Sequence, residues 1–355
     1  MSLLFSPIQI KNITLKNRIV ISPMCEYSST DGFANNWHLV HLGSRAVGGA
    51  ALIITEATAV SPEGRISIGD LGIWKDEHID KLKEITSFIH QNHAVAGIQL
   101  AHAGRKASFD IPWENAQQLN EHEGGWPTLA PSAIPFAPTD KTPVALSIEG
   151  ITKVKNDFRA AAARALQAGF KVIEIHAAHG YLLHQFLSPL SNTRNDEYGG
   201  SFENRIRLLL ETIDEINNVW PRENPLFVRI SATDWANGGW NLEESIRLSA
   251  LLKAKGVDVI DTSSGGLALE QKIAVGPGYQ VGFSADIKKA TDMMTGAVGL
   301  ITDAQQAEQI LKQEQADLIF IARAALRDPY FALHAAQELG TAITWPVQYE
   351  RAKPR

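Results

Sequence analysis

The stretch "HAAHGYLLHQFLSP", which starts at His176, brings titratable side chains of two kinds close together in the sequence. His179 follows His176 after three residues, and Tyr181 follows His179 after two. Directly before them stands the apolar run "KVIEI", a pattern typical of a buried strand. A polar loop after such a strand could bind a metal, hold an anion, transfer a proton, or only hydrogen-bond to the backbone.

Two of these alternatives can be compared by their chemistry. His176 and His179 have a spacing that zinc accepts, but a catalytic zinc site adds a carboxylate or a third imidazole. Glu174 precedes His176 by two residues and lies deeper in the strand, where it suits a fixed charge better than a ligand. We therefore interpret the two imidazoles as hydrogen-bond donors to a carbonyl or small anion, with no metal. A phenol such as Tyr181, with an ordinary pKa near 10, stays protonated and can supply a proton.

Arg229 is the second unusual residue, because it lies inside the apolar run "LFVRIS". Its side chain should point into the protein, where an unpaired charge is very costly. One interpretation is an ion pair with a carboxylate such as Glu174. The other is a fixed cation that faces a ligand on which negative charge develops.

Two further segments carry candidate functional residues. In "ADLIFIARAALRDP", Ala322 and Arg323 stand between a predicted strand and a helix start, where backbone N–H groups and a guanidinium can bind phosphate. An arginine that only caps a loop is the alternative. Cys25, in "PMCEYS", is the single cysteine. A cysteine nucleophile needs a histidine base and an oxyanion hole, and this segment indicates neither.

Eight short apolar runs rich in β-branched residues predict the strands that position these residues. They are 17–22, 51–56, 95–100, 171–175, 226–230, 257–261, 296–300 and 317–322. Amphipathic segments at 152–168 and 242–255 predict helices that end at Gly169 and Gly256, where we expect left-handed turns. Another helix is predicted to start at Ser201, its N-cap.

This alternation predicts an α/β fold of the (β/α)₈ TIM-barrel type, whose active sites lie at the C-terminal ends of the strands. A doubly wound sheet is the competitor, but it favours G-x-G-x-x-G after the first strand, where "SPMCEYSS" stands instead. The irregular stretch 108–150 follows strand three, so we expect it to be a lid or substrate wall. We predict one domain over 1–355.

Composition limits the class of protein further. The net charge is −6, without a basic stripe, which disfavours nucleic acid and anionic membranes as partners. The sequence lacks a secretory leader pattern and an apolar run of the roughly 20 residues that a membrane span needs. A single cysteine excludes an internal disulfide and fits a reducing compartment. We expect a cytoplasmic protein.

Several segments together resemble the old yellow enzyme family, in family order and over nearly the whole chain. They are "LKNRIVISPMCEYSS", "LGIW", "GIQLAHAGRKA", "APSAI", "IEIHAAHGYLLHQFLSPLSNTRNDEYGGSFENR" and "PVQYER". The cysteine after "SPM" and the "QYER" tail are similar to the bacterial, thermophilic-type subgroup.

The resemblance implies an ene-reductase that holds FMN non-covalently, oxidises NADPH or NADH, and reduces activated C=C bonds of α,β-unsaturated carbonyl compounds. It implies that the flavin is bound by Ser22, Pro23, Met24, Cys25, Ala57, Gln99, Arg229, Gly299, Ala322 and Arg323. Cys25 would tune the flavin potential, Arg229 would face the N1 and O2 edge, and Arg323 the phosphate. In the family the residue before this arginine is usually glycine, whereas this chain has Ala322.

The resemblance also implies the substrate-binding residues. His176 and His179 would bind the substrate carbonyl, and Tyr181 would donate the proton. Tyr27 and Lys106 would line the pocket and its rim. Arg351 would reach a neighbouring subunit's site, which predicts a homo-oligomer, a dimer or a tetramer. Within the insertion, the part 108–130 is longer than the subgroup pattern and carries Trp113 and Trp126, so its role, the substrate range and the pocket wall stay open. The physiological substrate and the choice between NADPH and NADH stay open as well.

Two rival functions remain at this stage. A metal-dependent hydrolase or aldolase would use His176 and His179 as ligands on the same fold. A binding module, or an idle flavoprotein, would keep the fold without the chemistry.

Overall fold

A computed structural model describes residues 2–354, in which eight parallel strands close into a barrel in chain order. The strands are Ile19–Ile21, Leu52–Ala59, Val95–Ala101, Val172–Ala177, Leu226–Ser231, Val259–Ser263, Met294–Ala297 and Leu318–Ile321. Helices surround the barrel, as the alternating pattern of the sequence predicts. The predicted (β/α)₈ barrel is therefore confirmed, and the doubly wound sheet is not the fold.

The helices cover the outer face of the barrel. The longer ones are Asn36–Val47, Ile79–Gln91, Ile148–Gln167, Phe202–Asn217, Leu242–Ala254, Val281–Thr291, Ala304–Lys312 and Phe331–Glu338. Two short α-helices, Leu182–Leu187 and Arg323–Arg327, open at the C-terminal ends of the fourth and eighth strands. Short 3₁₀ helices span Pro62–Gly64, Asp76–His78, Gly104–Lys106, Glu121–Glu123 and Val347–Ala352.

Local sequence signals account for several helix ends. The Ser201 side chain accepts a hydrogen bond from the Asn204 N–H and caps its helix, as predicted. Gly169 and Gly256 have φ angles of 89° and 86°, the left-handed turns expected there. The helix predicted from 152 begins earlier, at Ile148, because Ser147 accepts from the Gly150 N–H and caps it.

The barrel interior is apolar toward the N-terminal ends of the strands. Val20, Leu52, Val172, Phe227 and Phe320 belong to one buried cluster inside it. An antiparallel hairpin of Ile8–Ile10 and Ile13–Leu15 contributes apolar side chains to the same cluster and closes this end. The polar, titratable side chains therefore gather at the other end, where the strands terminate.

The seventh strand differs from its predicted position at 296–300. It spans Met294–Ala297, directly after Asp292 ends the preceding helix in a left-handed conformation with φ 51°. Gly299 and Leu300 have φ angles of 123° and 50°, so the backbone there cannot continue as a strand. The apolar pattern of "AVGL" does not predict these positive φ angles.

The stretch predicted as an irregular insertion contains little regular structure. Besides one 3₁₀ turn, it forms two short paired strands, Leu129–Ala130 and Val144–Ala145, before the helix that starts at Ile148. Among residues 2–354, every helix is too short or too polar to span a bilayer.

Candidate active site

The fourth barrel strand delivers the three side chains that the sequence singled out. His176 lies near the end of strand Val172–Ala177 and is only 4% exposed. Its ring centroid is 5.1 Å from that of His179 and 4.9 Å from that of Tyr181, and both pairs are nearly perpendicular. The structure thus places the two imidazoles and the phenol in one cluster.

The loop after this strand is held against its neighbours by side chains that the sequence analysis missed. The His179 N–H donates to Ser231 Oγ at 2.9 Å, and His179 Nε2 lies 2.7 Å from Ser263 Oγ. Both serines stand at the ends of the fifth and sixth strands. His179 itself has a φ of 57°, an uncommon conformation for a residue with a side chain, and these contacts help to hold it.

Two glycines make the close approach of the loops possible. A Cβ on Gly180 would lie 2.2 Å from the Gly266 carbonyl oxygen, and a Cβ on Gly266 would meet the His179 backbone at 2.7 Å. Larger residues would push the loop after strand four away from the loop after strand six. The cluster depends on this contact as much as on the strand that carries it.

The protonation of the cluster follows from its hydrogen bonds and its burial. His176 Nδ1 accepts from the Ala178 N–H at 3.2 Å, so the neutral ring carries its proton on Nε2, which can donate. Burial, with Arg229 as the next cause, lowers the pKa of His176 and of His179 well below the usual range. Burial also raises the pKa of Tyr181 well above its usual value. At neutral pH the cluster consists of three uncharged groups.

Lys106 lies against the loops that follow the fourth and sixth strands. Its Nζ donates to the carbonyl oxygens of His179 and Gly266 at 2.9 and 3.0 Å, and it lies 5.2 Å from the Tyr181 ring centroid. Burial lowers the pKa of Lys106 to about 8. The lysine thus ties the two loops together, while its contact with a substrate stays a prediction.

A charged layer lies next to this neutral cluster. Arg229 is 6% exposed, its Nε lies 3.1 Å from Asp261 Oδ2, and its Nη1 donates to Ser22 Oγ at 3.1 Å. The expected ion pair with a barrel carboxylate therefore exists, but the partner is Asp261 rather than Glu174. The register explains the choice, because Asp261 stands opposite Arg229 on the adjacent strand, whereas Glu174 stands opposite Phe227.

The two carboxyl groups of this layer, Glu174 and Asp261, differ in their partners and in their pKa values. Gln99 Nε2 donates to Glu174 Oε1 at 2.8 Å, and Glu174 Oε2 has no hydrogen-bond partner within residues 2–354. Burial, with Asp261 as the next cause, raises the pKa of Glu174 to about 8, and burial raises that of Asp261 to about 6. Burial therefore favours the protonated form of Glu174, whereas Asp261 has Arg229 as its counter-ion.

The end of the first strand forms another side of the mouth. Ser22, Pro23, Met24 and Cys25 follow strand Ile19–Ile21, and Ala57 lies in the second strand. Burial raises the pKa of the Cys25 thiol, with Asp70 and Glu56 as further causes, so the thiol stays neutral. Burial also raises the pKa of Tyr27, and Cys25 adds to that shift, which places the thiol and the phenol close together.

The ends of the seventh and eighth strands, next to the first strand in the barrel, offer groups suited to a phosphate. At Gly299, φ is 123° and a Cβ would come within 2.9 Å of the Gln280 side-chain nitrogen, so the backbone there must stay bare. Arg323 is exposed and begins the helix Arg323–Arg327 right after Ala322. Burial raises the pKa of Tyr279, and both Arg323 and Arg229 oppose that rise, so one phenol lies near both cations.

These features fit the ligand that the resemblance implies. A bare backbone and a guanidinium at one side suit a phosphate. A fixed guanidinium at Arg229 and an amide at Gln99 suit the polar edge of a flavin ring that gains negative charge. The donor set therefore fits FMN. Among residues 2–354, histidine, cysteine and acidic side chains form no group of three or more that could hold a metal ion.

Comparison with known proteins agrees with this geometry. Residues 3–342 match the model of the NADH:flavin oxidoreductase / NADH oxidase family. The chain belongs to this family. It is 53% identical over 350 residues to NADPH dehydrogenase of Bacillus subtilis (strain 168), covering 98% of both chains. This family membership confirms the old yellow enzyme resemblance, with FMN as cofactor and NADPH or NADH as reductant.

Solved structures of family members superpose on the whole barrel. Morphinone reductase aligns with a TM-score of 0.80 and 27% identity over 97% of this chain and 91% of the other. The old yellow enzyme homologue from Zymomonas mobilis aligns with a TM-score of 0.78 and 26% identity over 97% and 94%. The chain is thus an oxidoreductase of the old yellow enzyme type.

Two further predicted site residues are Arg351 and Tyr27. Arg351 is exposed in the 3₁₀ helix Val347–Ala352, and its proposed reach into a neighbouring subunit stays a prediction. Tyr27 lies beside Cys25 and is contacted at 6.1 Å between ring centroids by Trp113 of the insertion. That contact joins the insertion to the site.

Proposed function

We propose that this protein reduces the activated C=C bond of α,β-unsaturated carbonyl compounds with electrons from NADPH or NADH. FMN, which Gln99, Arg229 and Arg323 would help to hold, would supply the hydride transfer from the nicotinamide to the β-carbon of the substrate. The observation that carries the proposal is the cluster of two neutral imidazoles and a neutral phenol beside a fixed guanidinium. This is the set that polarises a carbonyl and protonates a carbanion without a metal.

The substrate oxygen would be held by His176 and His179. In the neutral state His176 carries its proton on Nε2 and donates it in a hydrogen bond, which draws electron density from the β-carbon. Because both imidazoles are uncharged, they can hold the oxygen without giving up a proton to it. The negative charge that builds up on the oxygen strengthens these hydrogen bonds in the transition state.

Tyr181 would complete the reaction by delivering a proton to the α-carbon. Its phenol is packed at 4.9 Å against the His176 ring, so it lies beside the carbonyl-binding groups without being one of them. A raised pKa keeps the proton on the phenol until a strongly basic carbon needs it. Cys25 and Tyr27 would border the same space, with Lys106 beneath the loop.

The nicotinamide and the substrate would use the same space in turn, which gives ping-pong kinetics. Arg229, with its ion pair to Asp261, would stabilise negative charge at the flavin edge between the two half-reactions. Arg351 of a second subunit would complete the pocket in a dimer or tetramer.

The test follows the two half-reactions separately under anaerobic conditions. The purified protein should be yellow, lose its colour when NADPH is added, and regain it when 2-cyclohexenone follows, with saturated ketone formed in equal amount. Bleaching without recovery by enones, enals, maleimides or nitro compounds would disprove the substrate class. A colourless protein with stoichiometric zinc would favour the hydrolase or aldolase instead, and a yellow protein inert to NADPH the binding module.

A further inference from the structure

The insertion carries two tryptophans in opposite environments. Trp126 is half-buried, its Nε1 donates to the Glu63 carbonyl oxygen at 2.9 Å, and the Arg65 guanidinium lies 4.4 Å from its ring centroid. Trp113 is 62% exposed, and its ring meets Tyr27 edge to face at 6.1 Å with an interplanar angle of 76°. Trp126 therefore anchors the insertion, whereas most of the Trp113 indole is left uncovered.

The loop that presents Trp113 is held by its own hydrogen bonds. The Phe109 N–H donates to the Ile66 carbonyl oxygen at 2.9 Å, which ties the base of the loop to the segment after strand two. The Asp110 N–H donates to the Gln117 carbonyl oxygen at 2.8 Å and closes the loop around its tip. Trp113 at the tip thus has a fixed place, and binding against it does not require the loop to be ordered first.

Tyr27 connects this tip to the reaction centre. Tyr27 follows Cys25 by two residues in the segment after the first strand, and its ring meets that of Trp113. Aromatic surface therefore extends from Tyr27, at the end of the first strand, to the exposed indole of Trp113. A large apolar ring at the surface beside a site is a common mark of a binding surface.

We propose that Trp113 forms an outer subsite that binds an aromatic substituent of the substrate. The subsite rests on the function proposed above: the carbonyl end of the substrate lies at His176, and a planar apolar group extends past Tyr27 onto the indole. Arylated enones and enals are the class that would use it. Small cyclic enones would end before reaching it.

Binding of two phenols to the oxidised, yellow protein tests the subsite. Phenols mimic the enolate at the imidazoles, and only the longer 4-phenylphenol would reach Trp113. In Trp113→Ala the affinity for 4-phenylphenol should fall about twofold to tenfold, the range of one aromatic contact, while that for phenol stays the same. Trp113→Phe should recover most of the loss. Titration of the flavin absorbance measures both constants.

Trp126→Phe is the matched control, because it keeps a ring beneath Arg65 and changes the same insertion away from Tyr27. It should leave the ratio of the two affinities unchanged. Equal loss for both phenols in Trp113→Ala, or tighter binding of 4-phenylphenol, would overturn the subsite and make Trp113 a structural or blocking residue. If the wild-type protein bound neither phenol, the proposed function would fail first, and the subsite with it.

Discussion

Two neighbouring groups at the barrel mouth respond to the same burial in opposite ways. His176 and Arg229 face each other in register on adjacent strands, and both are almost fully buried. The guanidinium of Arg229 is a permanent cation, and its counter-ion Asp261 lies 3.1 Å away. His176 has no carboxylate partner among residues 2–354, and burial together with Arg229 keeps it neutral.

The difference shows that the charged groups of the site are distinct from the neutral groups that donate hydrogen bonds and protons. A buried charge is tolerable where a partner compensates it, as at Arg229. Next to that cation a protonated imidazole would add like charge, so the hydrogen-bond donors beside it are neutral. On the proposed mechanism, the charged layer of Arg229 and Asp261 serves the flavin. The neutral layer, which consists of His176, His179 and Tyr181, serves the substrate. Substitutions can change one layer without the other, so these separate roles can be tested.

Tyr181→Phe should give the largest effect and should affect only the neutral layer. Loss of a positioned proton donor typically slows a reaction about 10²- to 10⁴-fold, and we expect this for enone reduction. Reduction of the flavin by NADPH needs no such proton, so its rate should change by less than about threefold, within the usual context-dependent scatter. Stopped-flow absorbance of the two half-reactions measures both rates. Equal loss in both would mean that Tyr181 supports the flavin rather than the substrate.

Arg229→Met should give the next largest effect and should break the charged layer. Removing one partner of a buried ion pair leaves Asp261 uncompensated and costs about 3–5 kcal/mol of unfolding free energy. Without Arg229 the folded-state pKa of Asp261 rises further above its unfolded value. The carboxyl then favours the folded state less as pH increases, so the loss should be greater at pH 8 than at pH 5.5. Urea unfolding of flavin-free protein at both pH values measures it.

The double variant Arg229→Met with Asp261→Asn is the control for this interpretation. It removes the charge that the single variant leaves behind, so it should be more stable than Arg229→Met at pH 8. A double variant that is less stable than the single one would show that Asp261 stabilises the barrel by contacts other than its charge.

Much of the fold followed from local sequence, for a physical reason. Buried parallel strands are continuous apolar runs, and helices end at glycines that can adopt positive φ, as Gly169 and Gly256 do. The seventh strand was misplaced because its end depends on the φ angles of Gly299 and Leu300. Hydrophobic pattern carries no information about those angles.

The candidate site was predictable only where its residues are close in sequence. His176, His179 and Tyr181 lie in one segment, so their clustering required only a strand and a loop. The Asp261 partner of Arg229 depends on the register between two strands, although an acidic residue inside "VDVID" was a usable signal. The bonds of Lys106 to two backbone carbonyls depend on loops that are distant in sequence, which no local pattern reveals.

Replacing the imidazole donors of the neutral layer should give the third-largest effect. Hydrogen bonds to a charged group contribute about 1.5–3 kcal/mol each, so His176→Ala combined with His179→Ala should weaken phenol binding at least tenfold. Because the pKa of each imidazole is well below its usual range, the wild-type affinity should show no inflection near pH 6.5. Spectral titration from pH 5.5 to 7.5 measures both. An inflection near 6.5 that disappears in the double variant, or an unchanged affinity in that variant, would contradict the neutral layer.

Cys25→Ala should give the smallest effect, because we expect the Cys25 thiol to contact the flavin as a neutral group and not to act as a nucleophile. Its raised pKa keeps it protonated, so the variant loses only a weak polar contact, about 0.5–1.5 kcal/mol. For a two-electron couple that corresponds to a shift of roughly 10–30 mV in the flavin potential. Potentiometric titration of Cys25→Ala and of Cys25→Ser measures the shift. If both variants lost turnover completely, the thiol would be reacting covalently, and a charged thiolate would have to be placed among groups that are otherwise neutral.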